Sequence, residues 1–245
     1  TSSNTAEGTV SPSSVTFTSA DWGTPQTVTV TGVDDFLIDG AVAYTIVTAA
    51  ATSADTNYNG VNPADVPVTN TDNDASGITV TPTPGLTTTE AGGTATFTVV
   101  LTSQPTATVT VGVGSSNAAE GTVSPSSVTF TSGNWNTPQT VTVTGVDDFL
   151  VDGAIAYTIV TAAATSADLD YSGVNASDVS VTNLDNDAAG ITVTPTSGLT
   201  TTEAGGAATF TVVLTSQPTA NVTIGLSSSN TAEGTVSPSS VTFTS

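Results

Sequence analysis

The stretch TATFTVVL at residues 94–101 decides the fold of this chain. Apolar residues alternate with threonine along it, a period of two that is typical of a half-buried antiparallel strand. One side of the strand would carry Ala95, Phe97, Val99 and Leu101. The chain should therefore bury a sheet face made largely of valine, with threonine on the opposite face.

The same alternation extends outward from this stretch to further short segments, and turn-forming clusters such as Ser103-Gln104-Pro105 separate them. Tyr44 and Tyr157 lie in phase with inward isoleucines and are predicted to be core residues. No segment has a helical period. The other predicted strands of this region centre on Ile78 and Val80, residues 107–113, Val128 and Phe130, Val141 and Val143, residues 155–159, and Val179 and Val181. About seven short antiparallel strands indicate an all-β, Ig-like sandwich.

An internal repeat organises the whole chain. GVDDFLIDG at residues 32–40 recurs as GVDDFLVDG at residues 145–153, and Glu90 recurs as Glu203 at the same spacing. We call this spacing, from position 32 to position 145, the repeat offset. A unit of this length is typical of a single domain. The sequence therefore predicts tandem sandwiches with a 113-residue repeat.

Acidic pentads, NTDND before residue 75 and NLDND before residue 188, are each followed by a new apolar and threonine alternation. We take each pentad as the end of one repeat. The predicted domains are a partial repeat at 1–74, a complete repeat at 75–187 and a partial repeat at 188–245.

Composition excludes several classes of function. The 245 residues include 21 Asp and Glu but no Lys, Arg, His or Cys. Nucleic-acid binding and contact with anionic lipids both depend on Lys and Arg. Disulfides and the usual zinc, copper and iron sites need Cys or His. No apolar run approaches the roughly 18 residues of a membrane helix, so direct membrane insertion is not expected.

The carboxylates cluster in a way that points to calcium. Asp147 and Asp148 are adjacent, Asp152 follows, and Asp185 and Asp187 close the repeat. If two strands end at the same pole of the sandwich, these oxygens converge, and no basic residue can neutralise them. Calcium accepts six to eight oxygen ligands and fits such a cluster. The alternative is a set of solvated aspartates in Asx-turns.

A family resemblance follows from three motifs. The succession of EAGG at residues 90–93, TPQTVTVTGVDD at 137–148 with Asp152 beyond it, and LDND at 184–187 resembles the Calx-beta domain. It looks especially like the Calx-beta-like repeats found in tandem in very large bacterial surface and matrix proteins. The resemblance covers the whole 113-residue repeat and implies a seven-stranded sandwich that binds a calcium cluster at one end.

The resemblance also implies a ligand set. In the complete repeat the implied ligands are Glu90, Asp147, Asp148, Asp152, Asp185 and Asp187. The repeat offset adds Asp34, Asp35, Asp39, Asp72, Asp74 and Glu203. Glu120 corresponds by position to the Asp of a Gly-x-Asp-Tyr motif in the family, and Asn186 replaces the middle acid of the usual triplet. Both departures predict fewer ions than in better-charged members.

Two further features allow alternatives. Asp168, Asp170 and Asp178 surround a tyrosine in the long loop before the last strand, where they could form a calcium site or hydrogen-bonded Asx-turns. Trp22 and Trp135 each precede a Thr-Pro-Gln turn and are either core-capping aromatics or platforms for stacking sugars. The threonine faces are either solvated surface or a surface for ice or O-linked sugar.

Three functions compete on this sequence. The first is a calcium-rigidified structural repeat of an extracellular adhesin, matrix protein or fibre at the cell surface, whose partners are the neighbouring repeats. The second is a glycan- or ice-binding module. The third, a two-carboxylate hydrolase, lacks a cleft and any nucleophile and base pair. We favour the first and expect no enzyme activity.

The two ends of the chain raise the question of self-assembly. Residues 1–19 and 227–245 are almost identical. Fibres could form by strand complementation between copies. The alternative is that the sequence is a segment of a longer continuous chain. We favour this alternative because the duplicated residues would be superfluous in a strand exchange.

Overall fold

The computed structural model describes all residues from 1 to 245, and its regular elements are 18 β-strands. No helix in it could span a membrane. The N-terminal segment, residues 1–74, contains β1 (Gly8–Ser11), β2 (Thr29–Gly32), β3 (Val42–Ile46) and β4 (Val66–Asn70). The central sandwich contains β5 (Ile78–Thr81), β6 (Leu86–Thr89), β7 (Thr94–Leu101), β8 (Val109–Ser115), β9 (Gly121–Ser124), β10 (Ser127–Phe130), β11 (Gln139–Gly145), β12 (Ile155–Thr161), β13 (Thr165–Ser166) and β14 (Val179–Leu184). The C-terminal segment, residues 188–245, contains β15 (Ile191–Thr194), β16 (Thr211–Leu214), β17 (Val222–Gly225) and β18 (Ser240–Phe243).

Two sheets form the central sandwich. One has the order β10-β8-β12-β14-β6, with β13 also beside β8, and the other has the order β5-β7-β11-β9. The β14–β6 pair is parallel, with Leu184 opposite Thr89, so both strands end at the same pole. The antiparallel β11–β9 pair, with Gly145 opposite Gly121, places the end of β11 beside the start of β9. We call the end of the sandwich where these four strand termini lie the acidic pole.

The hydrophobic core lies between these two sheets. Eighteen buried residues form one cluster. Phe97, Val99 and Leu101 on β7 are at most 3% exposed, which confirms the alternation predicted for residues 94–101. Tyr157 on β12 belongs to this cluster, and Tyr44 lies on β3 of the N-terminal segment; each is 6% exposed, so both are buried as predicted. Burial of these apolar faces supplies the main driving force for folding of the sandwich.

The count of seven antiparallel strands is corrected, because residues 78–184 contain ten strands and one of the pairs is parallel. The strands absent from the sequence prediction are β6, β9 and β13. Glycine, serine and threonine dominate these short strands, so their alternation of apolar residues is weak. Backbone pairing with longer neighbours holds them in the sheets instead.

The flanking segments repeat the sequences of central strands, but their strands pair only in twos. Several apolar side chains whose counterparts are buried in the central sandwich are therefore exposed there, although Tyr44 and Ile46 on β3 stay buried. Phe17 is 53% exposed whereas Phe130 is 0% exposed, and Val66 is 49% exposed whereas Val179 is 0% exposed.

A buried tyrosine fixes the turn after β7. The Tyr171 hydroxyl accepts a hydrogen bond from Ser103 N at 2.9 Å and donates one to Ser103 O at 2.7 Å. Tyr171→Phe leaves these buried backbone groups unpaired, and we expect it to lower the free energy of unfolding by about 1–3 kcal/mol. Urea denaturation measures this loss.

The matched control is Tyr58→Phe. Tyr58 is the counterpart of Tyr171 in the first repeat and is 64% exposed. We expect this change to alter the free energy of unfolding by less than about 0.5 kcal/mol. Equal losses in the two variants would contradict the role assigned to Tyr171.

Candidate metal centre

The acidic stretches of the central sandwich meet at the acidic pole. Glu90 directly follows β6, Asp147 and Asp148 follow β11, and Asp185 directly follows β14. Glu120 directly precedes β9. The strand pairing described above therefore brings together acids that are far apart in the sequence.

Close approach of the two sheets at this pole requires glycine. Gly145 N donates a hydrogen bond to Gly93 O at 3.0 Å, which joins the end of β11 to the turn after β6. A Cβ atom on Gly145 would overlap the carbonyl oxygen of Thr89. The glycine that begins the GVDD motif is thus a condition for assembling the acidic pole.

Carboxylate oxygens at the acidic pole form two groups of three. The knot trio is Glu90, Asp185 and Asp187, and the loop trio is Glu120, Asp148 and Asp152. In each trio, one oxygen from each residue lies within 4.8 Å of the other two. Two ligands of one calcium ion are at most about 5.2 Å apart, because each bond measures about 2.3–2.6 Å. Each trio is therefore compact enough to share one ion.

Burial makes the knot trio unfavourable without a cation. Glu90 is only 2% exposed. Burial raises the pKa of Glu90 above its ordinary value, and the nearby carboxylates of Asp185 and Asp148 raise it further, against a hydrogen bond from Asn186 N. Burial also raises the pKa of Asp187, and repulsion from the Asp147 carboxylate raises it further.

One atom of the knot trio lacks a hydrogen-bond partner. Asp187 Oδ2 is buried and accepts no hydrogen bond. A buried carboxylate oxygen without a partner is costly, and a bound cation would satisfy it. The donor set of the trio fits calcium, which prefers carboxylate oxygens.

Backbone hydrogen bonds orient Asp185 and favour its ionised form. Its Oδ2 accepts a hydrogen bond from Gly153 N at 2.8 Å, and its Oδ1 accepts one from Asp187 N at 2.7 Å. These two hydrogen bonds lower the pKa of Asp185 below its ordinary value. The backbone after β14 thus presents a fixed negative charge to the trio.

A buried asparagine orients the loop trio. Asn183 is 1% exposed, and its Nδ2 donates hydrogen bonds to Glu120 Oε2 at 3.3 Å and to Val146 O at 3.1 Å. Its Oδ1 accepts a hydrogen bond from Thr88 Oγ1 at 2.9 Å. Our sequence interpretation missed Asn183, although its place in phase with the inward Val179 and Val181 marks it as a buried polar residue.

Asp147 and Asn186 connect the two trios without belonging to either. Asn186 Nδ2 donates a hydrogen bond to Asp147 Oδ1 at 3.2 Å. Asp147 was predicted as a ligand, and the structure places it beside the trios instead of within one. The neutral Asn186 thus compensates one carboxylate by hydrogen bonding where an acid would repel it.

A third trio lies in the N-terminal segment. The N-terminal loop trio is Glu7, Asp35 and Asp39, the counterpart of the loop trio one repeat offset earlier in the chain. We did not single out Glu7 from the sequence, although the offset from Glu120 identifies it. Asn70 Nδ2 donates to Glu7 Oε2 at 3.2 Å, as Asn183 does to Glu120.

The other predicted ligands of the flanking segments have different surroundings. Asp34, Asp72 and Asp74 line the same cavity as the N-terminal loop trio. Asp72 Oδ2 accepts hydrogen bonds from the backbone of Asp39 and Gly40, at 3.1 and 2.9 Å. Glu203 in the C-terminal segment is exposed and belongs to no trio.

The second acidic group forms hydrogen bonds in place of a carboxylate cluster. Asp168 accepts hydrogen bonds from Thr106 N at 2.7 Å and Asp170 N at 3.0 Å. Burial alone would raise the pKa of Asp168, but these hydrogen bonds outweigh it and lower the pKa. Asp178 Oδ1 accepts a hydrogen bond from Thr161 N at 2.8 Å. The bond from Asp170 N has the two-residue spacing of an Asx-turn, whereas the bonds to Thr106 and Thr161 join the loop to distant strands and turns.

Comparisons with known proteins gave matches among solved structures. No family model matches the chain, and no curated protein matches it. Among solved structures, the apo form of the Calx CBD1 domain is 16% identical, with a TM-score of 0.37, over 46% of this chain and 100% of that one.

Surface layer protein SbsC is also similar. Its domains 4 and 5 are 27% identical, with a TM-score of 0.30, over 51% of this chain and 59% of that one. Its domains 1–6 are 20% identical, with a TM-score of 0.33, over 80% of this chain and 23% of that one. The sandwich itself rests on the strand pairing and core described above.

Proposed function

We propose that this chain is a non-enzymatic, calcium-binding structural segment of an extracellular fibre, adhesin or matrix protein. One observation carries the proposal: two compact carboxylate trios lie together at one pole of the sandwich, in a sequence without Lys, Arg or His. Carboxylates this close together repel one another, since like charges at short range raise the energy of the folded chain. A divalent cation in each trio would replace this repulsion with attraction.

The sequence supports a structural role more than a catalytic one. Serine and threonine nucleophiles need an adjacent base to activate them, and the chain lacks the His and Lys that commonly serve as that base. Repeats that each contact their neighbours are typical of extended, stiff assemblies. The extracellular location is part of this proposal, because calcium sites of moderate affinity are occupied at extracellular calcium concentrations.

Calorimetric titration of the 245-residue chain with calcium tests the proposal. We expect saturable binding, and Glu90→Gln should remove the site of the knot trio. The matched control is Glu203→Gln, the same substitution at the counterpart position outside every trio, which should leave the titration unchanged. Absence of saturable calcium binding in the unmodified chain, both by heat and by equilibrium dialysis, would exclude calcium as the ligand.

A further inference from the structure

Residues 101–104, Leu-Thr-Ser-Gln, form a contact segment between the central sandwich and the residues before it. Two of its members are fixed to the sandwich. Leu101 N donates a hydrogen bond to Trp135 O at 3.1 Å, and Ser103 is completely buried against the Tyr171 hydroxyl. The segment is therefore a rigid part of the central repeat.

Of the two remaining members, Thr102 bonds to the first residues of the central repeat, just before β5, and Gln104 bonds to the preceding repeat. Thr102 Oγ1 donates to Ala75 O at 2.7 Å, and Thr102 N donates to Gly77 O at 3.0 Å. Gln104 N donates to Phe36 O at 2.7 Å. Thr102 thus holds Ala75 and Gly77 at the start of the central repeat, and Gln104 makes a second contact, with a loop of the preceding repeat.

An aromatic pair accompanies the second contact. The ring centroids of Phe36 and Trp135 are 5.2 Å apart, with an interplanar angle of 48°. This is the range in which aromatic pairs attract, beyond the effect of their buried area. Trp135 also packs against the core of its own sandwich, so the aromatic pair joins the Phe36 loop to the packed central sandwich.

The same backbone contacts recur at the next connection. Gln217 N donates to Phe149 O at 2.7 Å, and Thr215 N donates to Gly190 O at 3.0 Å. Thr215 Oγ1 donates to Ala188 O at 2.6 Å. Each of these bonds lies one repeat offset after its counterpart. The sequence of the repeat therefore encodes this contact, since the same atoms form it twice.

The docked loop is also the loop that supplies carboxylates. Phe36 lies between Asp35 and Asp39, two members of the N-terminal loop trio. Asp35 Oδ1 accepts a hydrogen bond from Leu37 N at 2.8 Å, so the carboxylate and the aromatic ring belong to one tight turn. An ion held by the trio would fix the same turn that presents Phe36.

We propose that the surface formed by Trp135 and Gln104 is the docking site for the Phe36 loop of the preceding repeat, and that docking and cation binding at the N-terminal loop trio are coupled. The coupling rests on the proposed function; the docking surface does not. Because linkage is reciprocal, docking tightens cation binding by the same factor by which the cation tightens docking. Each repeat then holds its neighbour through its own cation site.

The test isolates the N-terminal loop trio. The background variant carries Glu90→Gln and Glu120→Gln, which silence the two central trios, and Trp22→Phe, which leaves Trp135 as the only tryptophan. In this background we expect Phe36→Ala to increase acrylamide quenching of Trp135 and to weaken calcium binding about fivefold or more. Phe36→Tyr keeps the ring and should preserve both properties.

The matched control applies the same substitution to the counterpart loop. Phe149 is 65% exposed and makes no aromatic pair in the structure. Phe149→Ala, tested in a chain whose only intact trio is the loop trio, should leave calcium affinity unchanged. It therefore separates loss of docking from damage to the loop.

The outcomes distinguish the two proposals. Calcium binding that Phe36→Ala leaves unchanged would overturn the coupling while the proposed function stands. Unchanged quenching of Trp135 in Phe36→Ala would overturn the docking surface. Absence of calcium binding in the unmodified chain would overturn the proposed function and the coupling together, and the quenching result would still decide the docking surface.

Discussion

Chelation of calcium is expected to lower the thermal unfolding midpoint of the central sandwich by about 10 °C. A ligand at about 100 times its dissociation constant stabilises the folded state by about 2.7 kcal/mol. For a domain of this size, about 1 kcal/mol corresponds to about 4 °C or more. The trios themselves supply the reason, since their carboxylates converge only in the folded chain and an unfolded chain offers no equivalent site. Calorimetric melting with excess calcium and with EDTA measures the difference.

Two controls make this result specific. Glu90→Gln should reduce the calcium-dependent increase in the midpoint, because it removes a buried ligand of the knot trio. Glu203→Gln should retain the full increase. Superimposable melting curves of the unmodified chain in calcium and in EDTA would contradict calcium binding at the acidic pole.

The fold was largely predictable because burial has a simple pattern in antiparallel strands. Phe97 and Val99 alternate with threonine, and both are buried as expected. Pairing between strands that are distant in the sequence is harder to read. The parallel pairing of β14 with β6 has no signature in the local sequence. Strand β6 is short and rich in threonine, and its partner lies near the other end of the repeat.

The acidic pole was predictable only in part. Adjacent acids such as Asp147 and Asp148 stand out in the sequence, and the repeat offset identifies the matching acids in the other repeats. Which oxygens share one site depends on side-chain direction, and the structure groups Asp148 with Glu120 and leaves Asp147 to Asn186. Asn183 acts through Glu120, and a positioning role of this kind requires three-dimensional contacts to be seen.

The docking contact shows a further limit of sequence reasoning. Ser103 and Gln104 look like an ordinary turn in the sequence, and Phe36 looks like an apolar residue within an acidic loop. The role of these residues in docking depends on contacts between repeats, and the alternation of apolar residues along a strand does not predict such contacts. The repeat offset does predict that any such contact recurs, as the Gln217 and Phe149 hydrogen bond shows.

Acidification is expected to change stability in opposite directions with and without calcium. Burial and neighbouring carboxylates raise the pKa of Glu90 and Asp187 above their ordinary values. The folded state therefore binds protons more readily than the unfolded state, so stability without calcium is lost as pH rises through the folded pKa values. Lowering the pH from about 7 toward the ordinary carboxyl range, about 4, should raise the midpoint in EDTA.

Calcium reverses this dependence because it binds the deprotonated carboxylates. Protons then compete with the ion, and the midpoint in calcium should fall over the same pH range. Below about pH 4 both curves should fall, since the lowered pKa of Asp185 makes its protonation destabilising. Melting scans at several pH values, with calcium and with EDTA, measure the two curves.

Glu90→Gln separates the trio from the general charge of the molecule. The chain has a formal net charge of −21, and acidification relieves this repulsion everywhere. Because the variant lacks the buried carboxyl of the knot trio, its midpoint in EDTA should rise less on acidification than that of the unmodified chain. Equal rises in the two proteins would assign the pH dependence to net charge, and parallel curves in calcium and EDTA would argue against proton and calcium competition at the acidic pole.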